Sequence, residues 1–146
     1  MFPGFKIELA TRFHLPVNLA FVPNPRKDPK APLLYVAESY DDVKVITNDW
    51  EVYTYAEGLL NYAPDYKFPR TGESGLTGIC VEPKTGDLFL SMLYVENDGM
   101  KAKVVRTTSK NALKMDSMKT IIDKIPSIKA AHQIQAVTIG PDGRLR

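Results

Sequence analysis

A short apolar motif ending in proline recurs three times along this 146-residue chain at nearly constant spacing. Its copies close on Pro23, Pro83 and Pro141, which lie 60 and 58 residues apart. They read LAFVP, ICVEP and VTIGP, and each is followed by a polar turn and by a second strand-like run or its beginning. A repeat of this length predicts an array of similar structural units stacked on one another.

The first two units are each predicted to contain four β-strands, because each holds four runs rich in β-branched or aromatic residues. The predicted strands cover residues 17–22, 34–38, 43–47 and 52–55 in the first unit, and 76–81, 88–93, 103–107 and 119–125 in the second. Polar, turn-forming stretches separate them, among them KTGD and ENDGMKA. Residues 112–118 could instead form a helical turn, although their apolar residues do not sustain a helical period.

Four-stranded units at a regular period are typical of a β-propeller, in which each sheet buries its faces against its neighbours around an axis. The predicted fold is all-β: a β-propeller fragment of about two four-stranded blades plus the inner strand of a third. The units are placed at residues 14–70, 71–128 and an incomplete 129–146, together one partial domain over residues 1–146. Since propellers have about four to eight blades and Leu145 aligns with Leu88, we expect the opening portion of a longer protein.

Composition is typical of a soluble globular chain but does not identify a compartment. The net charge of +2 comes from 19 basic and 17 acidic residues spread along the sequence, without the concentrated positive patch that nucleic acid or anionic lipid would require. No apolar run approaches the roughly 20 residues of a membrane-spanning helix, and no signal peptide is recognisable. The single cysteine, Cys80, lies in an apolar run, which favours a buried thiol over a nucleophile.

Both histidines of the chain fall at equivalent positions of the repeat. The residues nine positions before the three prolines are His14, Ser74 and His132. Because inner strands line the axis of a propeller, we expect these residues and the neighbouring Glu73 to converge on one mouth of the channel, where a few polar groups could form a binding pocket. A neutral histidine there could act as a base, or it could simply bond a loop carbonyl.

Several motifs occur in a fixed order over nearly the whole chain: LPVNLAFVP, LLYVAESYDDVKVI, GESGLTGICVEPKTGDLFLS, KVVR, IP and HQIQAVTIGPDGRL. This series resembles the amino-terminal part of the glucose/sorbosone dehydrogenase family. The resemblance implies a six-bladed propeller that oxidises aldose sugars with pyrroloquinoline quinone and calcium. Members of the family are soluble and often periplasmic or secreted.

The same resemblance implies roles for individual residues. His132, ahead of the Gly140–Pro141–Asp142 turn, matches the general base that takes the proton from a sugar hydroxyl while hydride passes to the quinone. Glu73 matches a polar residue that shapes the site, and Ser74 and Gln133 adjoin these positions as expected substrate or cofactor contacts. The cofactor and calcium ligands of the family lie mostly in later blades, so this portion alone is expected to be inactive and to hold no metal.

Two alternatives to a sugar dehydrogenase stay open. Relatives commonly show a small polar residue followed by glycine-glycine-arginine after the histidine, whereas this chain has Gln133, Ile134, Gln135 and Ala136. That departure favours a non-catalytic propeller that binds or scaffolds. A metal-dependent, lactonase-like propeller would need inward carboxylates from several blades, of which only Glu73 is visible. The expected partner is a sugar-like small molecule, and open blade edges predict self-association.

Overall fold

The computed structural model describes residues 3–40, 42–63, 74–127, 134 and 136–146. Within these residues the chain forms two antiparallel four-stranded sheets and no helix. None of the described segments could therefore cross a membrane as a helix. The all-β fold class predicted from the repeat is confirmed.

Each sheet is a simple meander in which consecutive strands pair. The first sheet has the order β1-β2-β3-β4 and the second has the order β5-β6-β7-β8. The strands are β1 Pro16–Phe21, β2 Pro32–Glu38, β3 Val43–Thr47, β4 Val52–Ala56, β5 Leu76–Val81, β6 Leu88–Glu96, β7 Gly99–Thr108 and β8 Ser117–Pro126. All eight predicted strands are present, with ends that differ by a few residues in most cases.

The largest difference lies in the hairpin between β6 and β7. Residues 96–102 were predicted to form a connecting loop, but Glu96 pairs with Gly99 and the ladder continues without interruption to Leu88. Only Asn97 and Asp98 remain in the turn, and Gly99 adopts a φ of 123°, which a residue without a Cβ tolerates. The helical turn considered for residues 112–118 is absent, and β8 begins at Ser117.

The two sheets pack face to face through an apolar core. Tyr35 and Tyr55 contact each other edge to face in that core, with ring centroids 5.2 Å apart. Their hydroxyls reach the second sheet and the segment before its last strand: Tyr55 shares a hydrogen bond of 3.0 Å with Thr107, and Tyr35 donates one of 2.8 Å to the Ala112 carbonyl. The core also contains Val43, Val45, Leu76, Ile79, Leu88, Leu90, Met92 and Val105. Consecutive sheets are therefore stacked like propeller blades.

Hydrogen bonding shows the repeat directly. The residue before each of the three prolines donates its N–H to a carbonyl across the turn, at distances of 2.9, 2.8 and 2.8 Å. These bonds join Val22 to Leu33, Glu82 to Asp87 and Gly140 to Arg144; the adjoining pairs are Phe21–Leu34, Val81–Leu88 and Ile139–Leu145. Leu145 thus occupies the position of Leu88, as the alignment predicts. The outer bounds of the three units stay a prediction.

Candidate functional site

The inner strand of each sheet is preceded by the same backbone turn. Leu15 and Gly75 both have positive φ, 51° and 115°. The Leu15 carbonyl accepts a hydrogen bond from the N–H of Ser39, and the Gly75 carbonyl accepts one from the N–H of Leu93, each at 3.0 Å. The residues just before these turns, His14 and Ser74, therefore lie at equivalent places in the two sheets.

His14 is attached to the end of β2. Its backbone N–H donates to Glu38 Oε1 at 2.5 Å, and its ring lies 6.1 Å from the ring of Tyr40. The Glu38 carboxylate is buried, and Lys44 Nζ lies 3.7 Å from it and 2.6 Å from Asp42. Burial opposes the charge of Lys44, but the hydrogen bond to Asp42 and the two carboxylates outweigh it and raise the pKa of Lys44.

Ser74 is attached to the same end of β2 through Ser39, the residue that follows Glu38. It is only 1% exposed, and its carbonyl accepts a hydrogen bond of 3.1 Å from the Ser39 hydroxyl. The Ser39 carbonyl in turn accepts the N–H of Leu76 at 3.0 Å. Because Glu38 and Ser39 are consecutive, the structure brings the starts of both inner strands to one edge of the stacked sheets.

Two buried hydroxyls lie near each other at this edge. The hydroxyls of Ser74 and Tyr62 are both inaccessible, and neither has a hydrogen-bond partner among the residues that the structure describes. Burial raises the pKa of Tyr62, while the nearby Ser74 hydroxyl and the Gly75 backbone oppose that rise. The two hydroxyls are therefore close to each other without forming a hydrogen bond. Unpaired buried hydroxyls are costly, and such groups can bind an alcohol or a water.

Three predicted site residues, Glu73, His132 and Gln133, lie outside the described residues and stay predictions. The nearest described residue to the last two is Ile134, whose carbonyl accepts a hydrogen bond of 2.6 Å from the Thr77 hydroxyl. Sequence reasoning missed the polar residues around this edge that the structure identifies: Glu38, Tyr62, Thr77 and Ser91. A polar residue inside an otherwise apolar strand was the available signal for Glu38, Thr77 and Ser91, because strand positions that face a neighbouring sheet are usually apolar.

The described edge does not fit the quinone that the resemblance implies. Pyrroloquinoline quinone carries three carboxylates, which require several Lys or Arg side chains. Lys44, the cation beside Glu38, is already paired with two carboxylates. In the same part of the chain, no three His, Cys, Asp or Glu side chains are grouped to hold a metal ion. Cofactor ligands would have to come from other residues.

Cys80 lies on β5, away from any activating group. Burial raises the pKa of its thiol to about 11, and a hydrogen bond with the Phe89 backbone only partly opposes this. The thiol is therefore protonated at neutral pH, which makes it a poor nucleophile. The interpretation of Cys80 as a packing residue agrees with this environment.

Two stacked four-stranded meanders, with their inner strands side by side, define the architecture of a β-propeller. A solved structure described as a crystal structure of glucose dehydrogenase has this arrangement: it matches 90% of this chain with a TM-score of 0.63 and 15% identity. The chain spans 36% of the length of that protein. No family model matches the sequence, and no curated protein matches it. The likeness therefore establishes a related fold.

Proposed function

We propose that the protein containing this chain is a sugar dehydrogenase, in which His132 is the general base for oxidation of a substrate hydroxyl. The observation that carries the proposal is the fold shared with a glucose dehydrogenase over 90% of the chain. The arrangement around Ser74 supports it, since equivalent turns precede the first two inner strands and bring His14 and Ser74 to one edge. The third equivalent position is His132.

Alcohol oxidation removes a proton from the hydroxyl oxygen and a hydride from the adjacent carbon. In this proposal the imidazole of His132 accepts the proton, which requires a neutral ring near pH 7. Glu73 and Gln133 contact the remaining hydroxyls of the substrate, and the buried Ser74 holds the turn beside them in place. The hydride passes to a separate acceptor. Pyrroloquinoline quinone with calcium is the acceptor to test, and its ligands are assigned to residues beyond those described.

The test uses the protein in its natural length, supplied with the quinone and calcium, and follows reduction of a redox dye by a panel of aldoses. We expect turnover that depends on the quinone. His132→Gln should lower kcat by at least about 100-fold and leave the circular dichroism spectrum unchanged. His14→Gln is the matched histidine substitution at the equivalent position of the first unit, and a smaller loss of kcat than in His132→Gln would assign the role of base to His132.

The two claims fail separately in this experiment. Absence of turnover with every sugar, with and without the quinone, would overturn the dehydrogenase proposal. Turnover that survives His132→Gln unchanged would overturn the role of His132 while leaving the activity established.

A non-catalytic sugar-binding propeller is the second candidate. It is favoured by the sequence Gln133-Ile134-Gln135-Ala136, and by the pairing of Lys44 with carboxylates at the described edge. Calorimetric titration with the same sugars separates the two functions. Binding without turnover, weakened by Glu73→Gln, would establish the second candidate.

A further inference from the structure

Side-chain hydrogen bonds join β1 to β5 and join the second sheet to the start of the third unit. The Asn18 side chain donates to the Thr77 carbonyl at 3.4 Å, which links β1 to β5. The Thr77 hydroxyl donates to the Ile134 carbonyl at 2.6 Å, and the Ser91 hydroxyl lies 3.3 Å from the same carbonyl. Ile134 precedes the first residues of the third unit that pair, Thr138 to Gly140. Two hydroxyls of the second unit therefore hold the backbone of the third.

A β-bulge sets the position of Thr77. The register of β5 against β6 shifts between Leu76 and Gly78, so Thr77 stands outside the regular ladder. The first sheet has the same bulge between Pro16 and Asn18, and the equivalent residue there is Val17, which is half exposed and lines an apolar groove. Both sheets therefore have the bulge, but only the second sheet has a hydroxyl-bearing residue, Thr77, at that position. Bulges commonly redirect a side chain in this way.

The Thr77 hydroxyl has three oxygens within reach: the Ile134 carbonyl at 2.6 Å, the Ser91 hydroxyl at 3.2 Å and the Ser91 carbonyl at 3.3 Å. Each hydroxyl has one hydrogen, and the 2.6 Å distance assigns that of Thr77 to Ile134. The hydrogen of Ser91 goes either to the Ile134 carbonyl or to the Thr77 oxygen, 3.2 Å away. Ser91 is fully buried, so water cannot easily replace its partner. Withdrawal of Ile134 would leave a buried hydroxyl with fewer partners, which is unfavourable.

We propose that Thr77 and Ser91 are positioning residues that fix the chain ahead of the third inner strand. His132 precedes Ile134 by two residues, so covalent geometry keeps their Cα atoms within about 7 Å. Holding the Ile134 carbonyl therefore restricts where the imidazole can lie. The consequence for catalysis rests on the proposed function, whereas the fixing of the backbone does not depend on it.

The test compares Thr77→Val, which removes the hydroxyl and keeps the shape, with Thr77→Ser, which keeps the hydroxyl. The outer edge of the second sheet offers matched controls, because Thr108 and Ser117 form a similar hydroxyl pair at 2.7 Å. Thr108→Val and Ser117→Ala remove the same groups far from Ile134. All variants are made in the protein of natural length.

The first readout is hydrogen exchange by mass spectrometry in the peptide covering residues 134–140. Thr77→Val should speed exchange there by roughly fivefold, the effect of losing one net hydrogen bond. Thr77→Ser and both outer-edge controls should exchange at the wild-type rate. The second readout is sugar oxidation, where Thr77→Val should lower kcat by roughly fivefold with little change in KM, and Thr77→Ser should restore it.

Unchanged exchange in Thr77→Val would overturn the proposal. If that variant does not fold, Ser91→Ala decides, because it leaves the 2.6 Å bond intact; a smaller acceleration in residues 134–140 supports the proposal and none overturns it. A wild-type protein without sugar oxidation would refute the proposed function alone, and the exchange data would still decide the role of Thr77.

Discussion

The inner strand pairs β1–β2 and β5–β6 have the same register, but the two sheets differ in what covers one of their faces. On the inner strand of the first sheet, Leu19 and Phe21 are 52% and 62% exposed. The equivalent residues of the second sheet, Ile79 and Val81, are 4% and 7% exposed. In the second sheet this face packs against the first sheet. The equivalent face of the first sheet forms an open apolar groove.

This comparison separates the face of the strand on which a side chain lies from the burial of that side chain. Alternation of apolar residues places Leu19 and Ile79 on the same side of their strands, because side chains alternate across a sheet. Burial follows only when another sheet is stacked on that side. An exposed apolar face of this kind supports the prediction of self-association, which stays a prediction.

The largest expected effect concerns the turn ahead of β5. An ideal Cβ at Gly75 would lie 1.9 Å from the Ser39 carbonyl oxygen, and its φ of 115° also disfavours a side chain. Gly75→Ala should lower the free energy of unfolding by more than about 3 kcal/mol, measured by urea denaturation. Gly99→Ala is the control, since its φ is 123° but no atom lies within 4 Å of the added Cβ. Equal losses would show that close approach between the sheets is unimportant.

The exposed and buried faces can be compared with one substitution each. Ile79→Ala should destabilise the chain by about 2 to 4 kcal/mol, because it leaves a cavity in the core between the sheets. In this 146-residue chain Leu19→Ala should cost less than about 1 kcal/mol. In a longer protein whose further blade covers the first sheet, Leu19→Ala should approach the cost of Ile79→Ala. Equal costs in the 146-residue chain would contradict the comparison.

The hydrogen bonds of the two stacked tyrosines should contribute less and unequally. Tyr55→Phe leaves the fully buried Thr107 hydroxyl without its partner, so we expect a loss of about 1 to 2 kcal/mol. Tyr35→Phe frees the carbonyl of Ala112, a half-buried residue outside the sheets, where water can replace the lost partner, so the loss should stay below about 1 kcal/mol. Thermal denaturation of both variants tests this order, and the reverse order would refute it.

The smallest expected effect on stability accompanies alkylation of Cys80, where the quantity measured is the reaction rate of the thiol. With its pKa raised to about 11, Cys80 should react with iodoacetamide at pH 8 roughly 100-fold more slowly than in the urea-unfolded chain. The rate should keep rising until about pH 11, since a raised pKa delays formation of the thiolate. Ala20 is the equivalent half-buried position of the first sheet. In the double variant Ala20→Cys/Cys80→Ala, the new thiol should react with iodoacetamide at a rate similar to that of native Cys80. Fast alkylation of native Cys80 at pH 8 would show that its thiol is not shielded.

Local sequence patterns predicted the strands well because β-branched and aromatic runs, separated by polar turns, constrain the backbone over a few residues. They failed in the β6–β7 hairpin, where residues 96–102 look like a loop. There, residues 99–102 pair with residues 93–96 of β6, which extends the ladder to a two-residue turn at Asn97 and Asp98. The candidate site was predicted from equivalence in the repeat and from the family resemblance, which place His14 and Ser74 ahead of inner strands but say nothing of Glu38 or Tyr62.

The sequence by itself determined the number and order of the strands, the proline turn shared by three units and the place of His14 and Ser74 before inner strands. These features depend on neighbours along the chain. Only the tertiary structure decided that Ile79 is buried while Leu19 is not, that Gly75 must pass close to Ser39, and that Thr77 holds Ile134. Those outcomes depend on contacts between residues far apart in sequence, and alternation along a strand specifies a face without specifying what packs on it.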